Sequence, residues 1–560
     1  MILQPILDLV AICAAQGIRQ VVLSPGSRCA PLTLAFARHP EMEVRTISDE
    51  RSAAFIALGM AQQLKQPVVL VCTSGSAALN YYPAIAEAFF QQIPLLVLTA
   101  DRPPEWVDQW DGQTIFQEEV YGKHVKKSFR FPDSFAHPDQ AWAANRIVNE
   151  AIHLSRQFPA GPVHINIPLR EPFYPEAGEV FEFPKQPRTV QVESPSYSLS
   201  AESLAKLKQE LQGKRSILIV PGQQDSHPEL LQVLEELVRT KQVVVVADSI
   251  TNMQGDGYIT LHDHWIGKEE FQEELRPDLL ITFGKSIISK SLKLFLRKQQ
   301  VAHWHIQTDG QAKDTFQSLS RVVASEPLPV LRWMLEEISS QDSSYFQGWQ
   351  NLESRVSDAL PKVLREVEFG EYGALATVLD RTPSSSMIHV ANSMAVRYLN
   401  FLGKRTQEIC CNRGTSGIDG SSSTAVGAAF VREGLVTLIT GDMAFFYDRN
   451  AFWHNYPLAN LRIILLNNHA GGIFRLIDGP AKQPELVDFF ETKQALTAMH
   501  LAAEYGFHYA AVTNSEELET ALSEFYEPSL QPKIIEIESS SSRNAEILKQ
   551  IKGSIAASFI

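Results

Sequence analysis

Two short polar stretches follow predicted strands in the last third of the chain. Asp442 comes directly after the apolar run 435–441, and Asn468 lies 26 residues later, after the run 462–466. The carboxyl ends of adjacent parallel strands meet at one edge of a sheet, so the carboxylate and the amide are expected side by side. Mg²⁺ prefers oxygen ligands and often shares them with phosphate groups. We therefore predict a metal site with Asp442, Asn468 and the carbonyl of Ala470 as ligands.

A third acid, Glu50, stands about four hundred residues earlier, where the predicted strand 44–47 gives way to an alanine-rich helix. An acid in this place is usually a helix cap or a first-turn charge, which the helix dipole favours. Burial would raise the pKa of such a carboxyl group and allow it to share a proton with a ligand. The position of Glu50 alone leaves both interpretations open.

The spacing of the two C-terminal stretches resembles the thiamine diphosphate signature, which is Gly-Asp-Gly followed after about 25–30 residues by Asn-Asn. Met443 replaces the second glycine of the signature here. The resemblance implies that Glu50 binds the pyrimidine nitrogen of the cofactor and favours its imino form, while Ile418 supports the bent cofactor from below. It also implies that Glu50 and the diphosphate site come from different subunits, so we expect a homodimer, with a homotetramer left open.

Longer blocks of sequence identify a more specific resemblance. They span most of the chain in the order 24–28, 49–51, 73–80, 99–105, 412–420 and 441–474. They are similar to the 2-succinyl-5-enolpyruvyl-6-hydroxy-3-cyclohexene-1-carboxylate synthase family of menaquinone biosynthesis. The family reaction is decarboxylation of 2-oxoglutarate and 1,4-addition of the resulting succinyl-semialdehyde carbanion to isochorismate.

The resemblance also implies a set of site residues. Glu50 and Gln113 are the expected catalytic residues, and Mg²⁺, with Mn²⁺ as an alternative, is the expected ion. Besides Glu50, Ile418 and the metal ligands, the expected cofactor-binding residues are Pro25, Thr73, Gly75, Asn80, Ser393, Gly441, Met443, Ala444, Ile473 and Phe474. The expected substrate-binding residues are Ser27, Arg28, Arg102, Gln113, Lys290, Ser393, Arg397, Arg413, Phe474 and Ile477.

The arginines make chemical sense because both expected substrates are dicarboxylates, and the guanidinium fork binds carboxylates in a bidentate manner. Two positions depart from the family pattern. Ser291 stands where a second basic residue often follows Lys290, and Gly112 stands where an Asn often precedes Gln113. Both departures concern substrate contacts.

Two other functions compete with this interpretation. The first is another thiamine diphosphate carboligase, such as an acetolactate-synthase-like enzyme that uses pyruvate, but a monocarboxylate would not need so many arginines. The second is a regulatory protein that keeps the fold without catalysis, which the presence of Glu50, Asp442 and Asn468 disfavours.

The elements that must position these residues are βα units. Short apolar runs alternate with helical patterns throughout the chain, which predicts α/β domains with parallel sheets flanked by helices. We predict a pyrimidine-binding domain at 1–185, a central α/β domain at 195–345 and a diphosphate-binding domain at 355–560, which together form a thiamine diphosphate-binding fold. The segment 174–199 is rich in Pro, Glu, Ser and Gln and is predicted to be a linker.

Composition limits the remaining possibilities. The 560 residues carry 50 basic and 64 acidic side chains, a net charge of −14, which disfavours a nucleic-acid partner. The five cysteines form no CxxC pair, and no apolar run approaches the ~20 residues of a membrane span. We expect a soluble cytoplasmic protein without membrane insertion. His262, Asp263 and His264 are close in sequence and could suggest a metal site. No further candidate ligand clusters with them, so they are expected to be structural.

Overall fold

The computed structural model describes residues 3–193, 197–338 and 343–559. Three parallel sheets of six, five and six strands follow one another along the chain. Helices cover the sheets, so most strand residues are buried on both faces. This explains why the strands read in the sequence as nearly continuous apolar runs.

The N-terminal sheet has the strand order β2-β1-β3-β4-β6-β5. Its strands are β1 (Gln20–Leu23), β2 (Glu43–Thr46), β3 (Val68–Cys72), β4 (Leu95–Asp101), β5 (Ser128–Arg130) and β6 (Val163–Pro168). Its helices are α1 (Gln4–Ala15), α2 (Ala30–Arg38), α3 (Glu50–Leu64), α4 (Ser76–Asn80), α5 (Tyr82–Gln91) and α6 (Pro138–Arg156). The loops after β1, β2, β3 and β4 all leave from the same edge.

The central sheet has the order β11-β10-β9-β7-β8. Its strands are β7 (Ile217–Pro221), β8 (Val243–Val245), β9 (Leu279–Phe283), β10 (Ala302–Ile306) and β11 (Leu319–Val323). Its helices are α7 (Ala201–Leu211), α8 (Pro228–Arg239), α9 (Lys290–Gln299) and α10 (Pro327–Glu337).

The C-terminal sheet has the order β13-β12-β14-β15-β17-β16. Its strands are β12 (Met387–Val390), β13 (Ile409–Cys410), β14 (Val436–Gly441), β15 (Leu461–Asn467), β16 (His508–Val512) and β17 (Lys533–Glu538). Its helices are α11 (Ser344–Glu366), α12 (Glu371–Arg381), α13 (Met394–Phe401), α14 (Ser421–Val431), α15 (Asp442–Tyr447), α16 (Asp478–Ala481), α17 (Met499–Tyr505), α18 (Ser515–Phe525) and α19 (Ser541–Ala557).

Helices α3 and α14 join the N-terminal and C-terminal units of the chain. A side chain at Gly59 would overlap the main-chain oxygen of Thr424, and one at Gly427 would overlap that of Ile56. The two backbones therefore approach each other as closely as glycine permits. Both helices are buried nearly all round, which fits their high alanine content and the absence of a polar face.

Two predictions about the elements need correction. The helical pattern over 77–91 in the sequence predicts one helix, but the structure divides it at Tyr81 into α4 and α5. Pro83 has no N–H, and its ring would crowd the carbonyl four residues before it, so one continuous helix is disfavoured. In addition, β5, β11 and β16 were not predicted, because they are short or partly exposed and lack a continuous apolar run.

The predicted linker contains no helix or strand in its described residues, yet it lies against the N-terminal unit. Phe173, Phe181 and Phe183 pack against the N-terminal core, and the Val190 N–H donates to Asn149 Oδ1 over 2.8 Å. The segment is therefore attached to the first unit along much of its length.

Candidate active site

Two loops meet at the carboxyl edge of the N-terminal sheet. The turn after β1 carries Pro25 and Ser27, and its glycine, Gly26, has no room for a side chain because Thr73 lies against it. Gly75 has a left-handed φ of 85°. The hydroxyl groups of Thr73 and Ser74 are buried without a hydrogen-bond partner. Such unpaired donors are costly unless a ligand or water binds them, so this edge has unused hydrogen-bonding capacity.

Arg28 and Arg102 lie beside this edge. Arg28 is buried and donates to the Leu169 carbonyl over 3.0 Å. Arg102 donates to the Gly112 carbonyl over 3.0 Å and pairs with Asp111 at 3.2 Å. Burial, and next the positive charge of Arg102, lower the pKa of Arg28. The structure thus brings together two of the arginines that the sequence predicted for substrate binding.

Gln113 lies next to the same edge. A Cβ added to Gly75 would lie 3.4 Å from the backbone of Gln113, so the two residues are in contact. Gly112, the position of the missing Asn, faces open space, since a Cβ there would meet no atom within 4 Å. The absence of an Asn side chain at position 112 therefore leaves open space and does not disturb the packing. Asn80 is exposed at the last residue of α4.

Glu50 is the first residue of α3, but it is not the helix cap. Asp49 performs that role, because its side chain accepts a hydrogen bond from the Ser52 N–H over 3.1 Å. Glu50 is half-buried, and its charge is one of the causes, after burial and Cys29, that raise the pKa of Cys72 at the end of β3. The Glu50 carboxylate is therefore near the sheet edge that carries Thr73.

Asp442 and Asn468 both lie at the carboxyl edge of the C-terminal sheet, directly after the adjacent strands β14 and β15. The β14–β15 register pairs Gly441 with Leu466, which places both residues just beyond the last paired positions. Asp442 is 2% exposed and accepts a hydrogen bond from Gln494 over 2.8 Å. Asn468 Oδ1 accepts a 3.1 Å hydrogen bond from the N–H of Ala470, the predicted third ligand.

A buried acid that the sequence did not reveal lies behind this pair. Glu371, the first residue of α12, accepts a 2.7 Å hydrogen bond from the Asn468 amide NH₂. Burial raises the pKa of Glu371 to about 7 and that of Asp442 to about 6, and the charge of Asp442 contributes to the shift of Glu371. Two neighbouring buried carboxylates are unfavourable without a cation nearby.

This corner fits a divalent ion that prefers oxygen ligands. The carboxylate of Asp442, the side-chain oxygen of Asn468 and the carbonyl of Ala470 are the kind of donors that Mg²⁺ takes. The described ranges contain no group of three or more His, Cys, Asp or Glu side chains that could hold a metal ion. Gly441 faces open space on the side where a Cβ would lie.

The departure at Met443 has a local explanation. Met443 and Ala444 belong to α15, and Met443 is not among the residues with positive φ, so its backbone does not require glycine. Further along the chain, Ile473 packs partly against the core, and the ring of Phe474 lies 5.8 Å from that of Phe490. Ile477 follows at the surface.

A second group of predicted residues surrounds the loop 412–418. Ser393 has a left-handed φ of 70°, and its carbonyl accepts a 2.6 Å hydrogen bond from Arg397. Arg413 donates to Asn392 Oδ1 over 2.9 Å. Ile418 is partly buried against the core of the same unit. Ser393, Arg397, Arg413 and Ile418 are thus close together on the C-terminal unit.

Helix α5 holds this loop from the N-terminal unit. Glu87, which is buried, accepts hydrogen bonds from the Gly414 N–H at 2.8 Å and from the N–H and hydroxyl of Thr415, each at 2.6 Å. The sequence did not identify Glu87, because an acid within an apolar helix pattern carries no signal of a distant partner. Glu371, an acid at the first position of α12, and Gln494, in a loop, were missed because their partners are also distant in sequence.

Other residues lie apart from these groups. Lys290 is exposed at the first residue of α9, and Ser291 faces the loop at Gly267 rather than the arginines. His262 is fully buried beside Asp248 and His264 contacts the Phe401 carbonyl, so both are structural, as expected. Within the described residues we find no hydrogen bond or ion pair between the predicted site residues of the N-terminal edge and Asp442 or Asn468.

Comparison with known protein families gives three consecutive matches. Residues 8–125 match the N-terminal TPP binding domain of thiamine pyrophosphate enzymes, 191–389 match the middle domain of these enzymes, and 391–537 match their C-terminal TPP binding domain. Together the matches cover most of the chain. The first ends before β5 and β6, and the second extends into β12 of the C-terminal sheet.

Three similar proteins carry the same name. The chain is 45% identical to the 2-succinyl-5-enolpyruvyl-6-hydroxy-3-cyclohexene-1-carboxylate synthase of Cytophaga hutchinsonii, over 100% of both chains. It is 38% identical to the synthase of Flavobacterium johnsoniae over 97% of both chains, and 37% identical to that of Porphyromonas gingivalis over 95% of this chain and 94% of the other. The helices described here include none with the length and apolar character needed to cross a membrane. The chain belongs to the 2-succinyl-5-enolpyruvyl-6-hydroxy-3-cyclohexene-1-carboxylate synthase family of thiamine diphosphate-dependent enzymes.

Proposed function

We propose that this protein, with thiamine diphosphate and Mg²⁺, decarboxylates 2-oxoglutarate and transfers the succinyl-semialdehyde unit to isochorismate. The product is 2-succinyl-5-enolpyruvyl-6-hydroxy-3-cyclohexene-1-carboxylate, an intermediate of menaquinone biosynthesis. The observation that carries the choice of substrates is the pair Arg397 and Arg413. They influence each other electrostatically, and neither has a carboxylate ion-pair partner in the described part of the chain. Dicarboxylate substrates would supply the missing anions.

Bound thiamine diphosphate supplies the electron sink for the decarboxylation and the carbon–carbon bond formation. Glu50 would hold a proton between its carboxylate and the pyrimidine nitrogen, and so favour the imino form. Glu50 does not cap the helix, because Asp49 accepts the first-turn hydrogen bond. This supports the proposed role of Glu50. Pro25, Thr73, Gly75 and Asn80 would contact the same part of the cofactor, and the unpaired hydroxyl of Thr73 supports that placement.

Asp442, Asn468 and Ala470 would hold the metal ion, and Gly441, Met443, Ala444 and Ser393 would line the cofactor site. Mn²⁺ would bind the same oxygen ligands. The pKa of Asp442, raised to about 6 by burial, supports a cation at this position, since a nearby positive charge would favour the ionised form. Ile418, Ile473 and Phe474 would form the apolar support and wall.

The substrate carboxylates would be bound by Arg28 and Arg102 on one side and by Arg397 and Arg413 on the other. Ser27, Gln113 and Ser393 would add neutral hydrogen bonds, while Gln113 would also contact the reacting atoms. Phe474 and Ile477 would contact the apolar part of the substrate. Lys290 stays in this proposal as an outer contact, since it is exposed at the start of α9.

We further propose that the active site is completed in a homodimer. Asp49 and Arg51, which flank Glu50, bind Asn450 and Tyr447 of the same chain over 2.7 and 2.9 Å. Glu50 thus lies near the carboxyl end of α15, whereas Asp442 is its first residue. Tyr447 and Trp453 are 53% and 54% exposed close by, which supports a partner surface there. Size-exclusion chromatography with light scattering tests this proposal, since a monomer carrying full activity would refute it; it also separates dimer from tetramer.

The cellular compartment and the domain boundaries also remain proposals. All five cysteines are free and buried, which suits a reducing cytoplasm. The boundaries 1–185, 195–345 and 355–560 lie outside the three sheets, but the stretch between 345 and 355 falls within α11 (Ser344–Glu366), which is one continuous helix. Limited proteolysis followed by mass spectrometry would test the boundaries.

The assay that tests the function measures loss of isochorismate and release of CO₂ from 2-oxoglutarate, with thiamine diphosphate and Mg²⁺ present. Reactions that lack one component, or contain pyruvate in place of 2-oxoglutarate, are the controls. We expect turnover only in the complete mixture. Comparable turnover with pyruvate would favour the acetolactate-synthase-like alternative, and binding of cofactor without turnover of either acid would favour the non-catalytic alternative.

A further inference from the structure

Three cations meet where α9, α13 and the loop 412–418 converge. They are Lys293, Arg397 and Arg413, and the first was not among the predicted site residues. Burial is the main cause that lowers the pKa of Lys293 and of Arg397, and the charge of Arg413 is the next cause for both. The three groups are therefore within electrostatic range of one another.

This cluster lacks a neutralising anion in the described part of the chain. None of its three members forms an ion pair with a carboxylate there, and Arg413 Nε is buried without a hydrogen-bond partner. Like charges held together without an anion are unfavourable, because each disfavours the charged form of the others. The arrangement therefore has free capacity for an anionic ligand.

The nearest acids are already engaged. Asp248 accepts hydrogen bonds from the backbone N–H groups of Ile288 and Ser289. Asp263 accepts from the Ser289 hydroxyl and, over 2.7 Å, from the Asn400 amide. These acids reduce the positive electrostatic potential at the cluster. Their oxygens accept hydrogen bonds from other donors, so they do not replace an anionic ligand there.

A cavity gives this cluster access to small molecules. Its volume is about 1150 Å³, and its lining includes Lys293 and Arg413 together with Gly414 and Ile287. This volume exceeds the space that a small dicarboxylate occupies, since ligand cavities run to roughly 300–1,000 Å³. Lys293 thus lines a space that reaches the Arg413 loop, whereas Lys290 is exposed three residues earlier on α9.

We propose that Lys293 is a substrate-binding residue whose ammonium group, together with Arg397 and Arg413, binds a carboxylate of a dicarboxylate substrate. The inference rests on the proposed function for the identity of the dicarboxylates. The competing explanation is that Lys293 is only a helix-surface lysine whose aliphatic part packs against the protein.

Lys293→Met tests this proposal in the full-length protein with thiamine diphosphate and Mg²⁺. The methionine keeps much of the side-chain length and removes the charge. Lys293→Arg is the conservative variant, and Lys298→Met, at an exposed position of the same helix, is the matched control. We expect Lys293→Met to raise KM for one of the two substrates on the order of tenfold, as loss of one charge-assisted hydrogen bond would.

Two further readouts separate binding from a structural role. First, the melting temperature of Lys293→Met without substrate should equal or exceed that of the wild type, because one of three repelling charges is gone. Second, Lys293→Arg should retain most of the affinity, and Lys298→Met should behave as wild type. KM values within twofold of the wild type for both substrates would overturn the proposal, as would a melting temperature that falls in parallel with affinity.

Calorimetric titration with 2-oxoglutarate distinguishes failure of this inference from failure of the proposed function. If the wild type shows no turnover but binds 2-oxoglutarate in a way that Lys293→Met weakens, the reaction assignment is wrong and the anion site is supported. If turnover occurs and Lys293→Met leaves both binding and KM unchanged, the function stands and the inference is overturned. If the wild type neither binds nor turns over the dicarboxylates, the inference is overturned as well.

Discussion

Glu87 allows a quantitative test of how the two outer units of the chain cooperate. Its buried carboxylate accepts four hydrogen bonds, one from Gln91 at 2.7 Å and three from Gly414 and Thr415. Gly414 also lies close against α5, since a Cβ there would come within 2.7 Å of the Glu87 carbonyl. The loop that carries Arg413 is therefore held by one side chain from another sheet.

Replacing this carboxylate leaves donors without an acceptor. In Glu87→Ala, the side chains of Gln91 and Thr415 can turn toward other partners, and water can reach the backbone of the exposed Thr415, but the N–H of the partly buried Gly414 is held against α5. An unpaired buried donor costs about 1–3 kcal/mol, so we expect a destabilisation of about 2 kcal/mol. For a unit of this size, 1 kcal/mol shifts the melting temperature by about 2–4 °C, which gives a decrease of about 6 °C.

The assay compares thermal unfolding and steady-state kinetics of the wild type, Glu87→Ala, Glu87→Gln and the control Glu202→Gln. Glu202 is exposed and forms only a surface ion pair with Lys206, so its loss should shift the midpoint by less than about 2 °C. Glu87→Gln should be intermediate, because one amide oxygen can still accept. Since Arg413 moves with the loop, kcat/KM should fall at a temperature where the variants remain folded.

The result that would refute this reasoning is specific. If Glu87→Ala melts within about 2 °C of the wild type and keeps its kcat/KM, the loop does not depend on the carboxylate. A loss of stability without any change of kcat/KM would show that the contact holds the units together but does not position Arg413.

Three other outcomes follow from the structure. Gly427→Ala should push α14 away from α3 and reduce stability by more than about 3 kcal/mol. In Gly553→Ala, the added Cβ in α19 meets no atom within 4 Å, so this variant should be more stable by about 0.5–1 kcal/mol. Equal thermal unfolding midpoints for the two variants would contradict this prediction. Burial raises the pKa of Asp448 from 3.8 to about 7, so the stability that this group contributes is present below about pH 4 and lost as the pH rises toward 7. Asp448→Asn should therefore flatten the fall of the melting temperature between pH 4 and 7, and an unchanged pH slope would contradict the assignment. Asp442→Ala should abolish the Mg²⁺-dependent binding of thiamine diphosphate measured by calorimetry. If the variant instead keeps wild-type affinity with Mg²⁺ and loses it with EDTA, Asp442 is removed from the metal site.

One further variant tests the cofactor role of Glu50. Glu50→Gln keeps the size of the side chain and removes the acid, so thiamine diphosphate should still bind while turnover falls by several orders of magnitude. Cofactor affinity by calorimetry and turnover by CO₂ release are measured on the same preparation. Near-normal turnover would exclude proton sharing by Glu50.

The sequence predicted the features that depend on local chemistry. The apolar runs predicted the strands that are buried on both faces. The spacing of Asp442 and Asn468 predicted that both lie at one edge of the sheet, because parallel strands end there. It could not predict Glu371 or Glu87. Each is an acid in an ordinary helix position, and its importance comes from a partner 97 residues away or more than 300 residues away.

The same limit explains the departures at Met443 and Ser291. A motif compares residue types position by position, whereas the structure shows which backbone conformation and contacts each position requires. Position 443 requires only a helical φ, so Met is compatible with the site. A basic residue near Arg413 is present, but it stands at Lys293, on the face of α9 that lines the cavity, rather than beside Lys290.

The C-terminal unit carries two groups of side chains with opposite charge. The corner of Asp442 and Glu371 is anionic and buried, while Arg397 and Arg413 form the cationic group. A divalent cation relieves the first group and a carboxylate relieves the second, so each group alone is less favourable without its ligand. Because the protein as a whole carries a net charge of −14, long-range attraction does not bring dicarboxylates to it. We propose that their selection comes from the local arginines, so removal of a single cation there should affect KM more than removal of one at the surface.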